Sequence, residues 1–171
     1  MTRLIPDTQA PALDIDTLAG PWSLNDRSPE AFTMVVFYRG LHCPVCKGFL
    51  GELDALVAEF EKVGTEVIAV SMDPRDRAEQ AAADWGLERL VVGFGLTEDQ
   101  ARAWGLYLSE AIKPAETPVF CEPGLFLVRP DGRLYLINIS NMPFARPDVA
   151  SLPPKIAMAM QNSYPARGTR G

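Results

Sequence analysis

A chain of 171 residues, 47% hydrophobic and 22% charged, is long enough for one packed core and has the polarity of an ordinary soluble protein. A net charge of −6 and a pI of about 4.8 exclude nucleic acid and anionic membrane as main partners, because both are polyanions. The segment Met1–Asp7 lacks the apolar core of a secretory signal, and no run approaches the roughly 20 apolar residues of a membrane helix. A cytoplasmic location is therefore expected. In that reducing compartment three cysteines point to redox chemistry or metal binding, not to a stapled scaffold.

Residues 1–31 read as an extended arm, with a short strand around Leu13, Ile15 and Leu18. Thr33–Tyr38 is a continuous β-prone run, the mark of a strand covered on both faces. Phe49, Leu50, Leu53, Leu56, Val57, Phe60 and Val63 then recur at helical spacing, and Gly64 sits where a glycine ends a helix. Glu66–Ser71 is a second buried strand. Asp73-Pro74 reads as a cap and first position of a helix ending near Trp85-Gly86. Leu90–Phe94 follows as an outer strand.

Thr97 and Gln100 form a capping-box pair for a helix expected to reach Tyr107, and Lys113–Pro123 reads as an irregular loop. Gly124–Val128 and Arg133–Ile139 flank Asp131-Gly132, a hairpin signal. A last helix is expected over Pro154–Asn162, with 163–171 a flexible tail. The order β-α-β-α-β-α-β-β-α predicts a single α/β sandwich domain over residues 1–162, with parallel strands first and an antiparallel hairpin later.

Cys43-Pro44-Val45-Cys46 lies where the strand ending at Tyr38 hands over to the helix. Two intervening residues put both sulfurs on one side of the first turn. Cys43 falls at the N-cap, where free N–H groups and the helix dipole favour a thiolate, and Pro44 suits the first helical position. Zinc held with Cys121 and His42 is the competing use of the motif, but no second CxxC or HxxxH exists and adjacent His42 and Cys43 chelate poorly. No metal and no cofactor are therefore expected. His42, the sole histidine, reads equally as an imidazolium steadying Cys43 and as an ordinary loop residue. Arg39 and Lys47 add positive charge nearby.

Phe37–Lys47 resembles the active-site segment of the thioredoxin-like superfamily, and in particular its AhpC/TSA (peroxiredoxin-like) branch with a CxxC. The likeness runs from Pro6 to Leu152. Ala10–Leu13 resembles the family's opening strand, and Val70-Ser71-Met72-Asp73 with Trp85 the stretch after its second core strand. The resemblance implies a thioredoxin-like three-layer α/β/α sandwich with a mixed central sheet. It also implies a cis peptide bond before Pro123, with substrate lying against Pro44, Val45, Glu122 and Pro123.

The departures from that family's pattern are specific. Laid on the peroxiredoxin motif, Cys46 is the peroxidatic position, Arg39 stands for its proline and Cys43 for its threonine. The usual arginine, which would fall near Pro123, is missing. Laid on thioredoxin, Cys43 attacks and Cys46 resolves, but the buried acid falls at Phe37. Cys121, two residues before Pro123, is a candidate third redox thiol.

The leading expectation is thus an oxidoreductase exchanging disulfides through Cys43 and Cys46, with Arg39 and His42 assisting. The first alternative is a thiol-dependent peroxidase with Cys46 peroxidatic. The second is a redox-sensing or metal-carrying module. Expected partners are a disulfide-containing protein, or a small thiol or peroxide, and a thiol reductant, with the chain a monomer or homodimer. Asn141–Arg146, with its aromatic residue, is expected to border the active-site groove.

Overall fold

Every residue of Phe32–Phe37 is buried, and their side chains divide by parity. Met34 and Val36 enter one apolar cluster, Val35 and Phe37 the other, as the two-residue period of an extended chain requires. This strand is an inner strand of a sheet covered on both faces. The computed structural model describes residues 3–171; Met1 and Thr2, the start of the expected arm, lie outside the described residues.

In chain order the elements are β1 (Asp14–Thr17), β2 (Gly20–Ser23), β3 (Phe32–Phe37), α1 (Pro44–Lys62), β4 (Thr65–Val70), α2 (Arg75–Trp85) and β5 (Val91–Phe94). There follow α3 (Glu98–Ala103), β6 (Leu108–Glu110), β7 (Val119–Cys121), β8 (Gly124–Val128), β9 (Leu134–Ile139) and α4 (Leu152–Gln161). The main sheet has the order β2-β1-β5-β4-β3-β8-β9, and β6 and β7 form a separate pair. Strands β3, β4 and β5 are parallel, linked by crossovers through α1 and α2, whereas β8 and β9 pair antiparallel. Leu50, Leu53 and Phe60 of α1 and Ile156 of α4 fill one face, while Leu24, Ala101 and Trp104 fill the other. The result is the expected α/β/α sandwich with a mixed sheet. No helix among the described residues is long and apolar enough to cross a membrane.

Several local expectations are corrected. The N-terminal arm is not simply extended: β1 and β2 form a hairpin with Thr17 opposite Gly20, and β1 pairs onward with β5. Pro21 hid β2 from a propensity reading, yet proline is tolerated on an edge strand that owes no inner hydrogen bond. The stretch read as an irregular loop contains β7, recruited by β6 through pairs from Leu108↔Cys121 to Glu110↔Val119. Helix α3 stops at Ala103 instead of reaching Tyr107, although its capping box at Thr97 and Gln100 is formed. The expected free tail lies back on the molecule: the Tyr135 hydroxyl donates to the Tyr164 carbonyl at 3.0 Å, and Ala166 is buried.

The peptide bond before Pro123 is trans, not cis. Trans is the intrinsically preferred isomer by about 0.5–1 kcal/mol, and the flanking groups satisfy it. The Glu122 N–H donates to the Tyr107 carbonyl at 2.8 Å, and the Pro123 carbonyl accepts from the Ser140 N–H at 2.9 Å.

Candidate active site

Helix α1 begins where the sequence places it. Cys43 is the N-cap, Pro44 opens the first turn, and the Cys46 N–H donates to the Cys43 sulfur at 3.2 Å. A cap sulfur receiving an otherwise unpaired helix N–H is an anion site. The Cys43 thiol is accordingly lowered from its ordinary 9.0 to about 6, first by the hydrogen bond from the Cys46 thiol, then by the Cys46 N–H and the charges of Arg146 and Arg39, against burial. Cys46 moves the opposite way: burial and its bond to Cys43 push its thiol far up, with Arg146 opposing. Both shifts favour the thiolate at Cys43 over Cys46. Both side chains are enclosed, at 1% and 0% exposure, and both are free thiols.

Cys46 has partners that the motif alone does not reveal. Arg146 Nη2 donates to its sulfur at 2.9 Å, and the backbone N–H of Arg39 also faces it. The guanidinium of Arg146 lies over the Phe49 ring with its carbon 4.8 Å from the centroid, and its Nη1 donates to the Pro143 carbonyl. Arg146 comes from the loop after β9, one hundred residues beyond Cys46. The sequence marked Asn141–Arg146 as a groove border for its aromatic residue; Phe144 is instead 72% exposed, and the arginine is the group that enters. A lone arginine in a loop carries no periodic signal that would have singled it out.

The other expected site residues divide. Arg39 does not reach the sulfurs with its side chain. Its Nε lies 3.2 Å from Glu122 Oε2, and its guanidinium covers the Phe120 ring at 4.8 Å. Glu122 is buried, and its other oxygen accepts from the Ser109 hydroxyl at 2.7 Å. Glu122 and Pro123 thus form a closed wall instead of a free edge for a substrate peptide. Pro44, Val45 and Lys47 are exposed at the mouth.

His42 packs its ring on Phe120 with centroids 4.6 Å apart, and its two nitrogens are buried without partners. Burial and the Arg39 charge hold it below its ordinary 6.5. A neutral ring of this kind does not act as the imidazolium that one reading of the sequence offered Cys43.

Cys121 is fully enclosed, its thiol donating to the Tyr38 carbonyl at 3.5 Å, and burial pushes it up to about 12. It belongs to the opposite apolar cluster from Cys43 and Cys46. This is the setting of a packing cysteine, not of a third redox thiol.

The AhpC/TSA family model matches residues 2–137. The fold is similar to that of a cysteine-to-serine mutant of the peroxiredoxin 6 of Arenicola marina, at 16% identity and TM-score 0.77 over 95% of this chain and 76% of that one. It is similar to the mitochondrial 2-Cys peroxiredoxin of Plasmodium falciparum, at 16% identity and TM-score 0.75 over 93% and 96%. A putative thiol:disulfide interchange protein DsbE from Chlorobium tepidum also resembles it, at 20% identity and TM-score 0.68 over 92% and 98%. No curated protein sequence matches the chain. The fold and the family model agree, and this chain belongs to the AhpC/TSA family as a thiol-dependent oxidoreductase.

Proposed function

We propose that the Cys43–Cys46 pair reduces a small peroxide, with Cys43 as the attacking thiolate. The observation that carries this reading is enclosure. Both sulfurs are at most 1% exposed and ringed by donors, so a small peroxide fits far better than a folded protein's disulfide. The closed wall at Glu122–Pro123 weighs the same way, since disulfide exchange of the thioredoxin kind uses a free backbone edge there. Within the thioredoxin/peroxiredoxin-like thiol oxidoreductase that the sequence led to, enclosure thus favours peroxide over a protein disulfide as substrate, with Cys43 kept as the attacking sulfur.

The chemistry balances with the groups at hand. Cys43 thiolate attacks the terminal oxygen of ROOH and the O–O bond breaks, leaving Cys43 sulfenic acid and an alkoxide. The Cys46 thiol protonates the alkoxide, which departs as ROH. The new Cys46 thiolate, steadied by Arg146, attacks the Cys43 sulfur and expels hydroxide, closing the Cys43–Cys46 disulfide. An external thiol supplies the two electrons that reopen it. Both sulfurs come from one chain, so the cycle needs no second subunit and runs equally in a monomer or homodimer.

A second reading rests on the Arg146 contact. A guanidinium on Cys46 suits that sulfur as the peroxide-attacking one, with Cys43 resolving. Treating reduced protein with one equivalent of hydrogen peroxide and a sulfenic-acid trap separates the two. The first reading expects trapped Cys43 in Cys46→Ser and loss of rapid peroxide consumption in Cys43→Ser; the reverse pattern supports the second. Slow peroxide consumption alongside fast reduction of insulin disulfides would overturn both.

A further inference from the structure

The carboxylate of Asp73, expected from sequence to cap α2, does not do so: Pro74 occupies the cap, and Asp73 is fully buried. Its Oδ2 accepts the Leu41 N–H at 2.7 Å. Its Oδ1 accepts the Thr117 hydroxyl at 2.5 Å and Arg77 Nε at 3.3 Å. Arg77 continues to the Ala115 carbonyl at 2.8 Å. Gly40 presses on the same carboxylate: its φ is +125, and a Cβ there would stand 2.6 Å from Oδ2. One side chain thus joins the turn before Cys43, the first turn of α2, and the loop between β6 and β7.

The turn it grips sets the thiol pair. The Cys43 N–H donates to the Gly40 carbonyl at 3.1 Å, and the same turn carries the Arg39 N–H that faces Cys46. We propose that Asp73 is a positioning residue for the Cys43–Cys46 pair: it fixes Gly40-Leu41 so that the Cys43 sulfur stays aligned with the Cys46 N–H. Thr117 and Arg77 lock the β6–β7 loop onto that turn through the same carboxylate. The inference rests on the pair being the redox centre, and not on whether peroxide or disulfide is its substrate.

The sign of one measurement separates positioning from simple electrostatics. A nearby negative charge disfavours a thiolate, so its removal alone would make Cys43 titrate lower. Loss of the tether loosens the N–H···S alignment and makes Cys43 titrate higher. The other groups acting on Cys43, namely Arg39 before α1, Cys46 within it and Arg146 after β9, are the same in both cases.

The test is the rate of Cys43 alkylation by iodoacetamide against pH, read by mass spectrometry in the full chain. Asp73→Asn keeps the shape of the side chain, Thr117→Val removes one tether, and exposed Asp76→Asn controls for surface charge. The expected midpoint for Asp73→Asn rises by about one unit, slowing alkylation roughly tenfold at pH 5 and little at pH 9. Thr117→Val moves it less in the same direction, and Asp76→Asn leaves it in place. Should Asp73→Asn fail to fold, Thr117→Val carries the test alone. An unchanged or lowered midpoint overturns the proposal. Slow peroxide consumption by the wild type, with the midpoints still in this order, removes the peroxide reading and leaves the positioning role intact.

Discussion

Arg146 donates a guanidinium N–H to the sulfur of Cys46 at 2.9 Å across one hundred residues of chain. The family's usual arginine position, near Pro123, is empty of one, and a cation reaches the thiol pair from the loop after β9 instead. Phe49 beneath the guanidinium and the Pro143 carbonyl at its edge hold it in place.

Replacing that arginine removes a charge-assisted hydrogen bond, worth about 1.5–3 kcal/mol. Arg146→Gln is expected to slow peroxide consumption by roughly 10- to 100-fold and to raise the Cys43 alkylation midpoint, because the Arg146 charge lowers both thiols. Arg146→Lys keeps the charge without the planar fork and falls between. Stopped-flow peroxide kinetics checks the first effect and alkylation the second.

The thiolate at Cys43 owes most to its bond from Cys46. Wild-type alkylation is expected to titrate with a midpoint near 6, the reactive thiolate being lost as pH falls through that value. Cys46→Ala removes the thiol donor but leaves the N–H, so its midpoint lies above the wild-type value; Cys46→Ser, which restores a donor, lies between. Iodoacetamide rates from pH 4 to 10 give the three curves.

Cys121 is expected to be chemically silent in the native state. Thiol titration of the folded, reduced protein should count Cys43 first and miss Cys121 until denaturant is added. Cys121→Ala should leave peroxide consumption unchanged while lowering stability by about 1 kcal/mol, the order expected for a small loss of buried volume. Urea denaturation measures the latter.

His42 acts by packing on Phe120, not by charge. His42→Gln is expected to shift the Cys43 midpoint negligibly. Because folding depresses the imidazole pKa, His42 costs stability as pH falls below its ordinary 6.5, where the unfolded chain takes up the proton first. The variant should therefore lose less stability than the wild type on acidification from pH 7 to 5, as thermal melts across that range will show.

The elements read without ambiguity were those whose signal is local. Thr33–Tyr38 is apolar throughout because both its faces are covered, and Asp131-Gly132 fixes a turn by backbone preference, with Gly132 at φ +81. β2, β6 and β7 were missed because three- and four-residue strands, β2 holding Pro21 and β7 following Pro118, carry little propensity of their own. β2 exists because β1 offers it hydrogen-bond partners, and β6 and β7 because they offer them to each other. The cis form assigned to Pro123 came from likeness to thioredoxin, whereas the trans chain is tied down by Tyr107 and Ser140.

By itself the sequence determined the thiol pair and its place. A buried strand followed by Cys-Pro-Val-Cys and an amphipathic helix puts one sulfur at a helix N-terminus, because capping depends on residues within a single turn. Tertiary structure decided what that sulfur meets. Arg146 and Asp73 enter from distant loops, Arg39 turns aside to Glu122, His42 packs on Phe120, and Cys121 is retired by burial. Charges and hydrogen bonds act through space, and the separation of two residues along the chain does not fix their distance once it has folded.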